Sequence, residues 1–430
     1  MNKCIALLLL VLCLGNTTLL AQNMDRMRQT TDTLTSKSMY GRGYTFHGDR
    51  KAAEYIRHQF EEMALAPIGN SYFQPFSFPV NRILETPLLQ VDGKALTPGQ
   101  DFVARAASPS GEGTLAAIML DTMVFSDAKA ARKFFKKGVT GKALVFRQQD
   151  KKRLQQLPQE YQQQLQQAKL HIILQKGALL TTVARQQEPV PVLEVAEAAW
   201  PKQAKKVSFS IKAELNPQHQ ARNVIALVRG SQQPDSVIVF SAHYDHLGSQ
   251  GEGIYFPGAN DNASGTAMLL ELARHYSQPQ NQPRYSIVFM AFAAEEAGLL
   301  GSIYYTQHPL FPLQNIRFLV NLDLLGTGSE GMMAVNGKVH EKEFQLLQRL
   351  NDEKHYLPQI KSRGKAANSD HYPFSEAGVS SFFFYTLGGT SAYHNTNDFA
   401  SQLPLTKFSE VFALIKDFTG ALMKQPQETN

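Results

Sequence analysis

SVIVFSAHYDHLG, residues 236–248, is an apolar run of β-branched and aromatic residues that gives way at once to histidine, aspartate and glycine. A run that continuous suits a strand buried on both faces rather than one with a solvated side. SIVFMAFAAEEAG at 286–298 and FLVNLDLLG at 318–326 share the design. NVIALVRG at 223–230 and VSSFFFYT at 379–386 add two more strand candidates. Segments with helical spacing separate or follow them: ASGTAMLLELARHYS (263–277), LLGSIYYTQH (299–308), HEKEFQLLQRLNDEKH (340–355) and LTKFSEVFALIKDFTGALMK (405–424). Strand and helix in alternation predict an α/β fold, a three-layer sandwich around a central mixed, mostly parallel sheet.

Working outward, GDRKAAEYIRHQFEEMALAP (48–67) repeats its apolar residues at helical spacing, with Ala52, Ala53, Ile56, Phe60 and Met63 on one face, and stops before Pro67. Residues 23–45 are polar and show no clear period. PFSFPVNRILETPLLQVDGKAL (75–96) alternates as short strands do. From 87 to 214 the texture changes to short strands, GTLAAIML, GKALVFRQ, LHIILQKG and VPVLEV, with helical stretches at 126–138 and in the Gln-rich 150–169. This segment is expected to be a smaller inserted β-rich α/β domain without catalytic residues. The division is therefore 1–21 leader, 22–86 first part of the main domain, 87–214 insert, and 215–430 the rest of the main domain.

Net charge is +6 with pI near 9.0, but Lys and Arg are dispersed, so no nucleic-acid partner is expected. MNKCIALLLLVLCLGNTTLLAQ reads as a secretory signal cleaved after Ala21: Lys3 precedes a short apolar core, Ile5 to Leu14. The expected location is periplasmic or extracellular. No stable membrane insertion is expected after cleavage, and lipid anchoring at Cys13 is disfavoured by bulky Leu12. The two cysteines, Cys4 and Cys13, both fall in this segment, which leaves none for a disulfide, nucleophile or metal ligand.

The strand ends carry the chemistry. His243 and Asp245 follow the first run, Glu295 and Glu296 the second, and Asp323 ends the third; Asp261 lies in GANDNASG and His394 in AYHNTND. In an open α/β sheet, ligands gather at the carboxyl ends of strands. Taken singly, Asp261 before a helix is a cap and a Glu-Glu pair is solvated surface. Jointly, two imidazoles and several carboxylates at successive strand ends suit a pair of zinc ions. Asp245, two residues after His243, is placed to hydrogen-bond its imidazole and fix the tautomer. One of Glu295 and Glu296 can bind metal while the other takes a proton from water.

HYDH, NDNASG, EE after an apolar strand, NLD and YHNTND resemble the co-catalytic zinc exopeptidases typified by bacterial leucyl aminopeptidases, over roughly 40–85 and 215–427. The resemblance implies two Zn2+ ions and peptide substrates. It assigns His243 and Asp323 to one ion, Glu296 and His394 to the other, and Asp261 to both. It makes Glu295 the general base, Asp245 the support of His243, and Tyr393 an oxyanion donor. Residues 87–214 resemble, more weakly, a protease-associated insert. SDHYPF, with Asp370 and His371, is expected to shape a loop. His246 is a candidate for a hydrogen bond in the cleft, and His275, His308 and His355 for the surface. The alternatives are a single-zinc glutaminyl cyclase, a carboxypeptidase of the same fold, and a non-catalytic binding module. Oligomeric state is not legible.

Overall fold

The run at 236–248 forms the strand Gln233–His243, which lies inside a ten-stranded sheet of a computed structural model describing residues 24–424. The expected leader, with Cys4 and Cys13, lies outside the described residues. Among these, no helix is long and apolar enough to cross a membrane.

Gln233–His243 pairs in parallel with Tyr285–Phe292 on one side and Ile316–Leu322 on the other, and Ser381–Leu387 extends the parallel set. The chain thus leaves the central strand in both directions, which opens a crevice at its carboxyl end. Register sets what meets there. His243 is opposite Phe292, and Ser241 is opposite Asn321. The residues just past those partners, Glu295 and Asp323, therefore emerge level with His243. Antiparallel strands Phe73–Ile83, Ala213–Val228 and Gly331–Val335 lie on the flanks, and the short strands Ser249–Gln250, Ile254–Tyr255 and Ile360–Arg363 form the edges.

The sheet is covered on both faces, because alternate residues of one strand point opposite ways. Ile238, Phe240 and Ala242 join a core with helices Gly48–Glu62, Gly265–Ser277 and Phe408–Leu422. Val237 and Val239 join another with Phe292, Tyr305 and Phe374 beneath helices Leu300–Gln307 and His371–Glu376. This is the expected three-layer α/β arrangement.

A second, eight-stranded sheet is built between Leu88 and Ile211, interrupting the chain between two strands of the first. Its middle strands, Gly111–Met119, Ala143–Arg147, Leu170–Gln175 and Val192–Ala196, run parallel. Two local readings differ from the sequence expectation. The Gln-rich stretch forms two short helices, Lys151–Leu154 and Gln159–Leu165, because Pro158 cannot donate to a continuous helical ladder. The polar segment near the start holds a helix, Met24–Leu34, that buries Met27, Thr30, Thr31 and Leu34. Its threonines satisfy their hydroxyls on the preceding turn, as Thr31 does on the Met27 carbonyl at 2.9 Å, so half of the buried face is polar and gives no apolar period.

Candidate metal centre

Six of the seven strand-end and loop residues named above, His243, Asp261, Glu295, Glu296, Asp323 and His394, line one crevice, and Asp245 is buried behind it. His243 is the last residue of its strand. Asp261 lies in the irregular turn Ala259–Ser264 that leads into helix Gly265–Ser277. That helix is capped by Asn262, whose Oδ1 accepts the Gly265 amide at 2.9 Å, so Asp261 is released from the capping role. The carboxylate of Asp398 accepts the amides of Asn260 and Asp261 at 3.0 and 3.1 Å and fixes the turn. Ala294, Leu324 and His394 have left-handed backbones, with φ of 57°, 56° and 52°. Such conformations cost about 1 kcal/mol or more each and persist where the surroundings impose them.

The distances between donor atoms suit metal ligation. His243 Nε2 stands 3.4 Å from Asp261 Oδ1 and 3.4 Å from Asp323 Oδ1. His394 Nε2 stands 3.1 Å from Asp261 Oδ2 and 3.3 Å from Glu296 Oε2. Two donors held by one tetrahedral zinc at about 2.0–2.1 Å lie roughly 3.3–3.4 Å apart, longer than an N–H···O bond. Asp323 Oδ1 is buried and accepts no hydrogen bond, and it is the oxygen that faces His243. Donor atoms of His243, Glu295 and Asp323 lie within 4.8 Å of one another, as do those of His246, Asp261 and Glu296. The donor set is nitrogen and carboxylate oxygen, which zinc accepts, and it is rich enough in negative charge to need cations.

His246 belongs to this group in a different way. Its Nδ1 lies 2.7 Å from Glu296 Oε1, a hydrogen-bond distance rather than a shared-ion spacing. It therefore orients Glu296, as the sequence reading of a cleft hydrogen bond anticipated.

Asp245 departs from its expected role. The ring Nδ1 of His243 meets the backbone carbonyl of Asp245 at 3.1 Å, while the Asp245 carboxylate stays 3.8 Å away. The carboxylate instead accepts the Tyr44 hydroxyl at 2.7 Å and the amides of Glu295 and Glu296 at 3.1 and 3.4 Å. It positions the two glutamates, and the tautomer of His243 is set by main chain.

Several partners lay beyond the motifs. Ser369 donates to Asp323 Oδ2 at 2.9 Å and accepts from Asn321 Nδ2 at 2.8 Å, so SDHYPF reaches the site through its serine. Asp370 accepts the Ser302 hydroxyl at 2.5 Å, and His371 packs on Phe383. Arg42 is fully enclosed. Its guanidinium donates to the carbonyls of Leu34, Tyr244, Pro257, Gly258 and Asp261 at 2.7–3.2 Å, tying together the turns that carry His243 and Asp261. Gly43 allows this approach: a Cβ there would sit 2.2 Å from the Gly248 Cα. The glycines around Arg42 were the one signal in the sequence. His308 and His355 are exposed, and His275 is half-buried against Tyr276 and Phe412.

Burial, reinforced by Glu296, Asp370 and Asp323 and opposed by His243, raises the Glu295 carboxyl well above its usual range. Burial and Asp261 push Glu296 up to about 8. Burial lowers Arg42 to about 10, and Asp261, Asp398 and Asp245 keep it from falling further. Tyr393 stacks on the His394 ring, with centroids 3.9 Å apart, and stays partly exposed. Burial and the neighbouring carboxylates raise its phenol, so its proton is retained. The crevice encloses about 330 Å³, with Leu324, Phe383 and Tyr385 adding apolar and aromatic lining to the donors.

Curated relatives share part of this chain. Aminopeptidase YwaD of Bacillus subtilis is 35% identical over 187 residues, which is 42% of this chain and 39% of that protein. A probable zinc metalloprotease of Pyricularia oryzae is 37% identical over 135 residues, 30% of this chain and 24% of that protein. The match thus spans well under half the length of either relative. Among solved structures, a zinc aminopeptidase from Bacillus subtilis has the same fold, with TM-score 0.69 and 21% identity over 94% of this chain and 96% of that one. A Peptidase M28 precursor from Shewanella amazonensis gives 0.68 and 16% over 94% and 97%. Residues 223–419, the stretch that holds all the candidate donors, match Peptidase family M28.

Proposed function

We propose that this chain is a two-zinc aminopeptidase that hydrolyses N-terminal residues from peptides. One observation carries the reading: the two oxygens of Asp261 face two different imidazoles, His243 at 3.4 Å and His394 at 3.1 Å. That arrangement supports a carboxylate shared by two ions over the single ion of a cyclase. On this reading His243 and Asp323 hold one ion, His394 and Glu296 the other, and Asp261 both.

When bound, the ions supply positive charge that makes water more acidic and stabilises negative charge on a substrate carbonyl oxygen. Glu295, beside His243 and Asp323, takes the proton of the attacking water as the water oxygen bonds to the scissile carbonyl carbon. It delivers that proton to the amide nitrogen as the carbon–nitrogen bond breaks. Tyr393 holds its hydroxyl proton at the mouth of the crevice and donates it as a hydrogen bond toward the developing oxyanion. The carboxylates around the crevice favour a free α-amine, which restricts cleavage to chain ends. Leu324, Phe383 and Tyr385 receive an apolar side chain. The names of the relatives, an aminopeptidase and a probable zinc metalloprotease, support the same reading.

The test is a zinc titration of chelated protein. Two equivalents should restore hydrolysis of aminoacyl substrates with a free amine, and N-acetylated versions should remain intact. Saturation at one equivalent, or equal cleavage of the N-acetylated substrates, would overturn the proposal.

A further inference from the structure

His394 differs from the other donors. His243, Glu295 and Asp323 hang from ends of parallel strands, and Asp261 from a turn at the head of a helix. His394 sits in irregular chain, with a left-handed φ of 52° and its side chain still 17% exposed. Something outside the loop must hold it. Loops joining strands of the second sheet supply the hold, although they bring no donor to the crevice. The Thr181 amide donates to the His394 carbonyl at 3.0 Å, and Thr181 is buried. Two residues after His394, Thr396 Oγ1 donates to the Gly99 carbonyl at 3.2 Å. Both anchors are themselves fixed. Leu179 and Val103 pack with Ile254 and Phe256 in a separate small core. Gln250 exchanges two hydrogen bonds with the Ala104 backbone at 2.6 and 2.9 Å.

We propose that the inserted sheet is a positioning element for the metal centre: through the Thr181 amide and the Gly99 carbonyl it holds the His394 loop and sets the zinc affinity of the His394 half-site. The inference rests on His394 being a ligand. It gives the insert a purpose that its lack of donors leaves unexplained. It also makes the two half-sites unequal, since the His243 half-site is held by strand register and by hydrogen bonds to the Asp245 carbonyl and from Ser369, none of them from the insert.

The experiment uses the full chain and zinc alone, read as equivalents retained against a graded chelator, with folding checked by circular dichroism. Thr181→Pro removes the amide donor, and Thr181→Ser keeps it. T181P should retain one ion at wild-type affinity and release the other roughly fivefold to tenfold more readily, the worth of one hydrogen bond, while T181S keeps both. Thr396→Val should weaken the same ion by about threefold. Folded T181P with both affinities unchanged overturns the proposal. Should T181P not fold, an unchanged T396V overturns it equally. His394→Ala separates the two readings: retention of both ions by H394A removes His394 as a ligand, whereas loss of one ion by H394A with no effect in T181P or T396V removes only the role of the insert.

Discussion

The two sheets of this molecule are built alike and used differently. Each has four neighbouring parallel strands at its centre and apolar residues pointing to both faces. In the first sheet the strands run out into His243, Glu295 and Asp323. In the second they run out into residues that satisfy one another: Arg147 pairs with Glu197 at 2.8 Å, and Gln175 donates to Glu194 at 2.6 Å. Among the described residues, both groups with metal-holding geometry lie at the first sheet. Both sheets have a parallel core, and the residues placed at the strand ends decide whether chemistry occurs there.

Substitutions can break or sharpen this contrast. The largest effect is expected from Glu295→Gln, which keeps shape and removes the proton acceptor. Turnover should fall by about 10²- to 10⁴-fold with both zinc equivalents retained, read by steady-state kinetics alongside metal analysis. Near wild-type turnover would remove Glu295 as the base. Next is His246→Ala, which deletes the 2.7 Å contact to Glu296. Loss of such a supporting bond typically weakens metal by about tenfold to hundredfold. Competition with a chelator measures it, and unchanged affinity would show that Glu296 needs no orientation.

Away from Thr181 and Gly99, the second sheet should respond only in stability. Ile172→Ala, at a fully buried position, should destabilise by about 2–5 kcal/mol in a denaturant titration and leave zinc affinity unchanged. The smallest effect is expected from Asp127→Ala, which removes the cap that accepts the Lys129 amide at 2.8 Å. About 1 kcal/mol should be lost, again without a change in metal binding. If either substitution, neither of them at the Thr181 or Gly99 anchor, shifted metal affinity, the insert would act on the centre through more than those two hydrogen bonds.

Much of the first sheet was legible because its strands are buried on both faces, so that 236–243 and 286–292 read as unbroken apolar runs. The donors were legible for a related reason: a charged residue directly after such a run has few ordinary explanations. What escaped depends on partners remote in sequence. Arg42 bonds the Tyr244 carbonyl across 202 positions, and Tyr44 reaches Asp245 across 201. Arg and Tyr are residue types expected at the surface, and locally only the glycines on either side of Arg42 hint otherwise. The bond from His243 to the Asp245 carbonyl escaped because residue identity does not reveal whether side chain or main chain will face a ring. Helix Met24–Leu34 escaped because threonines occupy much of its buried face.

Arg42 has a consequence for how the crevice is made ready. Its guanidinium is enclosed behind Asp245, Asp261 and Glu296 and anchored by five main-chain oxygens. A permanent counter-charge thus stands behind the acidic wall at every stage of ion capture, restraining mutual repulsion among the carboxylates. The ligand loops are in this way preorganised, so an arriving ion meets a cradle already in shape and little of its binding energy goes into assembling one.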